Sequence, residues 1–162
     1  MSDGDAVARQ FLRHTLAVLA YRAAKVLHEA PGSFSSTKIS GTSRMPGQIL
    51  GHISDLMDWA LSIVRGREAW RDSLPGEWPA EVERFFGSLR ALDQYLASDA
   101  DLACPAERLF QGPIADALTH VGQLAMLRRV AGSPVRGENY FKADIVAGRV
   151  SPAQSPPRRE FE

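Results

Sequence analysis

The sequence predicts an all-α fold, an antiparallel four-helix bundle with one long crossover. Three observations predict it. Apolar residues recur at alternating steps of three and four through four separate segments. No stretch of alternating apolar and polar residues flanks a hairpin-type turn. The chain has 162 residues, 44% of them hydrophobic, which is one domain's worth with enough apolar side chains for a single core.

The first helix is expected from about Asp5 to Glu29, with a stripe of Leu12, Leu16, Leu19, Ala23 and Val26 or Leu27, stopped by Pro31-Gly32. Residues 31–44 (PGSFSSTKISGTSR) read as a mobile crossover, longer than most helix–helix connections. The second helix opens at Pro46, whose missing N–H costs nothing at a first helical position, and runs to about Arg65. Its stripe is Ile49, His52 or Ile53, Leu56, Trp59 or Ala60, and Ile63. A linker, 66–78, carries Trp70 and Trp78. The third helix spans Pro79 to about Ala97 on Val82, Phe85, Leu89, Leu92 and Leu96.

A helical turn is expected over Pro105 to Phe110, after which Gly112-Pro113 opens the fourth helix, ending near Gly132. That helix is apolar nearly all round, which predicts burial on most sides. Gly122 within it predicts a close approach to another helix. Residues 1–148 are expected to form the bundle. Residues 149–162, with Pro152, Pro156, Pro157 and two arginines, are expected to be a flexible tail.

Composition excludes several roles. Lys+Arg and Asp+Glu are 19 each, so there is no basic stripe to neutralise phosphates and no nucleic-acid partner is expected. The single cysteine, Cys104, cannot form an internal disulfide, and its acidic neighbours disfavour a reactive thiolate. No basic segment precedes an apolar stretch at the start, and Leu16 to Ala24 is too short to span a bilayer. The expectation is a cytoplasmic protein without a membrane partner.

The chemistry concentrates on three residues. Asp116 and His120 stand four apart on one helix, so their side chains share a face. His52 is in register with Ile49, Leu56 and Trp59, and so faces the bundle interior. If the two helices are neighbours, two imidazoles and one carboxylate converge with coordination positions to spare, the open arrangement of catalytic metal sites. The plainer alternatives are a hydrogen-bonded core histidine and an aspartate that suits a helix N-terminus. Gln123, one turn beyond His120, either orients a ligand or makes an ordinary amide hydrogen bond. Trp59 and Tyr140 are candidate pocket residues, with core packing as the alternative. Asp55/Asp58 and Glu81/Glu83 read as solvated faces, and Arg128 and Arg129 as cations suiting a helix C-terminus.

The stretch 111–132 (QGPIADALTHVGQLAMLRRVAG) resembles the last bundle helix of the DinB-like (DinB/YfiT) metal-binding four-helix-bundle superfamily. That helix usually reads H-x-x-x-H, then R-G-Q-L, an arginine-containing turn and a glycine. Here the second histidine position is His120, followed by Val121-Gly122-Gln123-Leu124, and the first falls on Asp116. Residues 46–61 (PGQILGHISDLMDWAL) resemble the family's second helix, with His52 at its ligand position. The resemblance covers roughly residues 8–148. It implies a divalent transition metal (Fe, Ni, Mn or Zn) on His52, Asp116 and His120. Asp116 departs from the usual histidine; a harder, anionic ligand shifts preference toward iron, manganese or nickel and away from tri-histidine zinc. Family members with an assigned role include thiol-dependent transferases and isomerases. The resemblance therefore implies an enzyme in which the metal activates a low-molecular-weight thiol or water for transfer to a small electrophile. The rival expectation is a non-catalytic metal-binding bundle with a structural or stress-related role, or one that simply forms a homodimer, as bundles of this size commonly do.

Overall fold

The computed structural model describes residues 3–161. Among these, secondary structure is helical apart from one isolated antiparallel bridge between Glu138 and Glu160. The helices are α1 (Asp3–Leu27), α2 (Pro46–Val64), α3 (Trp78–Ala97), the short α4 (Ala106–Leu109) and α5 (Ala115–Val130). None is long and apolar enough to cross a membrane among the described residues.

The four long helices share one core. α2 packs against α3 and α5, and α1 packs against the same two. The stripe residues meet there: Leu12, Leu16 and Leu19 from α1, Ile49, Ile53 and Leu56 from α2, Phe85, Leu89 and Leu92 from α3, and Ala117, Val121 and Leu124 from α5. Each apolar stripe is what sequence periodicity demands of a helix with one buried side.

Helix ends are held by side chains from elsewhere in the chain. Gln48 Oε1 accepts the Met45 N–H at 2.9 Å, just before Pro46 starts α2. Past the end of α2, Gly66 takes φ +68°, a left-handed turn that a Cβ would strain. Arg128, expected only to suit its own helix's C-terminus, is buried and reaches across to α1. Its Nη1 donates to the Val26 and His28 carbonyls at 2.8 and 3.0 Å, groups that the end of α1 leaves without helical partners. Arg9 does the same beyond α3, donating to the carbonyls of Leu96, Ser98 and Ala100.

Several expectations are corrected. Gly112-Pro113 does not open a helix. It lies inside a π-helical segment, Phe110–Ile114, that joins α4 to α5 without a break. A proline ring collides with the carbonyl four residues back in a regular helix, and the wider π turn accommodates both the ring and the missing donor. α5 is not buried on most sides: Met126 and Val130 are exposed, and the Gly122 position faces open space rather than a neighbouring helix. Asp55 and Glu81 are not solvated. Both are buried against Arg84, which donates to Asp55, to Asp58 at 3.0 Å and to Glu81 at 3.0 Å.

The crossover is anchored. Phe34 is 1% exposed, sits edge-on to Trp78 with ring centroids 5.4 Å apart, and lies under Arg128. The segment expected to be a flexible tail is placed along α1. Val150 is buried, Asn139 N–H donates to the Arg159 carbonyl, and Lys25 bridges Glu138 and Glu160.

Candidate metal centre

His52 lies midway along α2, and Asp116 and His120 lie in the first turns of α5, the helix packed beside it. The three side chains converge. One ligand atom from each lies within 4.8 Å of the others. His52 Nε2 is 3.6 Å from one carboxylate oxygen of Asp116, and His120 Nε2 is 3.4 Å from the other. The two imidazoles meet edge to face with centroids 4.8 Å apart. The π-helical segment ends immediately before Ala115, two residues ahead of Asp116.

These separations carry chemical information. A charge-assisted N–H···O bond is about 2.7–2.9 Å long, and neither contact is that short. Two donors bonded at about 2.1 Å to one tetrahedral ion stand about 3.4 Å apart. His52, Asp116 and His120 form a group that could hold a metal ion, and the donor set of two imidazoles and one carboxylate suits a borderline or moderately hard divalent metal.

The protonation pattern fits the same use. His120 Nδ1 is 2.8 Å from Gln123 Oε1. An amide oxygen only accepts, so this bond places a proton on Nδ1 and leaves Nε2 as the ring nitrogen on the Asp116 side. His52 is held below the usual histidine range by burial and by the neighbouring His120 and Arg44, with Asp116 opposing them. Its imidazole is therefore neutral near neutral pH, the form that binds metals.

The surroundings leave the centre accessible. The His52 and His120 side chains are 19% and 13% exposed, but Asp116 is 47% exposed. A cleft of about 700 Å³ reaches His120 between Arg44, Ile49, Gln123, Met126 and Leu127. A second, of about 460 Å³, reaches Asp116 from the side of Leu56, Trp59 and Gly112. Thr119 borders both. Trp70, from the loop after α2, packs edge-on to His52 (5.6 Å) and to Trp59 (5.7 Å), shielding the flank of the site. That loop is tied down by Asp55, which accepts the Ser73 N–H at 2.9 Å.

Of the expected residues, the structure brings together His52, Asp116, His120 and Gln123, with Trp59 alongside. Tyr140 is elsewhere: it packs edge-on to Tyr21 and carries the Arg22 guanidinium 4.0 Å above its ring. Its local sequence does not decide which helix it meets. Trp70 and Arg44 were not singled out from the sequence, because neither lies on a helix whose periodicity would orient it. Comparison of the chain with protein-family models, with curated proteins and with solved structures found no match.

Proposed function

We propose that the chain is an antiparallel four-helix bundle of the DinB-like kind and a metal-dependent enzyme. The observation that carries this reading is the convergence of His52, Asp116 and His120 within 4.8 Å, with one cleft bordered by His120 and another by Asp116. Nε2 of each histidine and the Asp116 carboxylate would hold a divalent transition ion, and the carboxylate would favour iron, manganese or nickel over zinc. Such an ion supplies a Lewis-acidic position that makes a coordinated low-molecular-weight thiol or water nucleophilic at neutral pH.

The chain's own groups do the rest. Gln123 fixes the His120 tautomer. Trp59 and Trp70 keep bulk water from the His52 flank, which strengthens electrostatic interactions inside. Three protein ligands leave positions free, as in catalytic rather than structural sites. A small electrophile reaches the centre through the larger cleft, which His120 borders.

Elemental analysis of protein purified without a metal-affinity step tests the reading. About one equivalent of a divalent transition metal is expected in the wild type and none in His120→Ala, with the helical circular dichroism retained. Transfer of a low-molecular-weight thiol to small electrophiles should then depend on the metal and disappear in the variant. Stoichiometric metal in His120→Ala would sink the assignment.

A further inference from the structure

We propose that the larger cleft is a carboxylate-binding subsite, and that the protein's substrate is a small organic acid with a largely apolar body. The carboxylate rests on Arg44, the body lies along Ile49, Met126 and Leu127, and the far end reaches His120 and its partners. The proposal names the substrate class for the metal centre proposed above and rests on that reading for the chemistry at the far end. The anion site itself stands independently of the metal.

Several observations carry it. Arg44 borders the same cleft as His120, and no Asp or Glu lines that cleft. Arg44 also makes no ion pair with any carboxylate among the described residues, whereas Arg13, Arg84, Arg136 and Arg149 each do. Its guanidinium is close enough to the metal centre for its field to act on His52. The cleft therefore has one uncompensated cation beside three converging ligand groups.

Arg44 is exposed, and the backbone that carries it is fixed on both sides. The preceding Ser43 hydroxyl accepts the Ser40 N–H at 3.0 Å and donates to the Ser40 carbonyl at 3.1 Å, closing a turn. Two residues on, Pro46 begins α2. Farther back, Phe34 plugs the crossover into the core. The N-terminus of α2, where the Met45 side chain offers no acceptor and Gln48 takes only the Met45 N–H, adds positive potential at the same end of the cleft.

The rest of the lining selects among anions. Ile49 and Leu127 are buried apolar walls, and Met126 is 60% exposed at the rim, an adaptable apolar surface. One guanidinium matches one carboxylate bidentately. A phosphate ester or nucleotide would bring a second charge with no second cation in the cleft to meet it. The favoured ligand is a monoanion with an apolar body.

The test uses full-length protein labelled with nitrogen-15 and with carbon-13 at the methionine methyls, titrated by NMR with 4-phenylbutyrate and its neutral amide. The titrations are run with and without one equivalent of zinc. The acid is expected to shift the Met126 methyl and the Arg44 side-chain NεH saturably, and the amide to bind about tenfold more weakly. In Arg44→Gln the acid should fall to the amide's affinity, while zinc stoichiometry stays unchanged. The proposal is overturned if neither compound binds, if acid and amide bind alike, if the shifts map away from Met126 and Arg44, or if Arg44→Gln leaves the acid's affinity intact. Acid binding through Arg44 with neither zinc nor, by calorimetric titration, nickel or manganese bound would keep the subsite and discard the metal reading. Zinc binding with no role for Arg44 would do the reverse.

Discussion

Gln123→Ala isolates one hydrogen bond at the candidate centre. The Gln123 carbonyl accepts a hydrogen bond from His120 Nδ1 at 2.8 Å, which leaves Nε2 as the ring nitrogen facing Asp116 at 3.4 Å. Without that acceptor, the ring can rotate, or carry its proton on the nitrogen that has to bind the metal. Partners of this kind change metal affinity by about 10–100-fold. Gln123 is exposed, so water can partly replace it, and the lower end applies: about tenfold weaker binding, or about 1.4 kcal/mol. Competition against a chromophoric chelator measures this directly. Thermal melting of the metal-free variant should shift by no more than about 2 °C, because an exposed substitution seldom changes stability by more than about 0.5 kcal/mol. Gln123→Glu keeps an acceptor at the same position and should preserve the affinity. Metal binding unchanged within about twofold in Gln123→Ala would refute the tautomer argument. A collapse of the metal-free melting temperature would show instead that the residue holds the fold.

Two predictions concern stability. Asp55→Asn removes the buried carboxylate that meets Arg84 and the Ser73 N–H, and should cost about 3 kcal/mol, lowering Tm by about 10 °C and loosening the Trp70 loop. Burial raises the Asp55 carboxyl, but Arg84 and Ser73 outweigh it and hold it below the usual carboxylate range. Its contribution is thus fully present above about pH 5 and is lost as the pH falls below about 4 toward the lowered value. The urea midpoint of the wild type should therefore fall more steeply in that acid window than that of Asp55→Asn; parallel curves would contradict the pairing. Phe34→Ala empties the position that anchors the crossover and should cost about 3–5 kcal/mol, with faster limited proteolysis between residues 37 and 44. Urea denaturation and a protease time course check both parts, and an unchanged cleavage rate would show that the loop is held by other contacts.

The sequence by itself determined the local features of this protein. The starts of α2 and α3 followed from apolar periodicity and proline, because both act within a few residues along the chain, and they fall within a residue of where Pro46 and Pro79 place them; Gly112-Pro113 was the exception. The pairing of Asp116 with His120 was legible for the same reason, since i, i+4 spacing puts two side chains on one face whatever surrounds the helix. Only the tertiary structure decided what crosses between elements. That α2 lies beside α5 brings His52 to the other two residues, and the loops carry Trp70 and Arg44 to the centre's edge. Asp55 and Glu81 looked like surface carboxylates until Arg84, on another helix from Asp55, proved to bury with them. Arg128 caps a helix remote from it in sequence, and Tyr140 meets Tyr21 rather than the clefts. Charges, aromatic rings and cap donors take their partners from whatever the helix packing brings within a few ångströms, and that packing is set by the whole core at once.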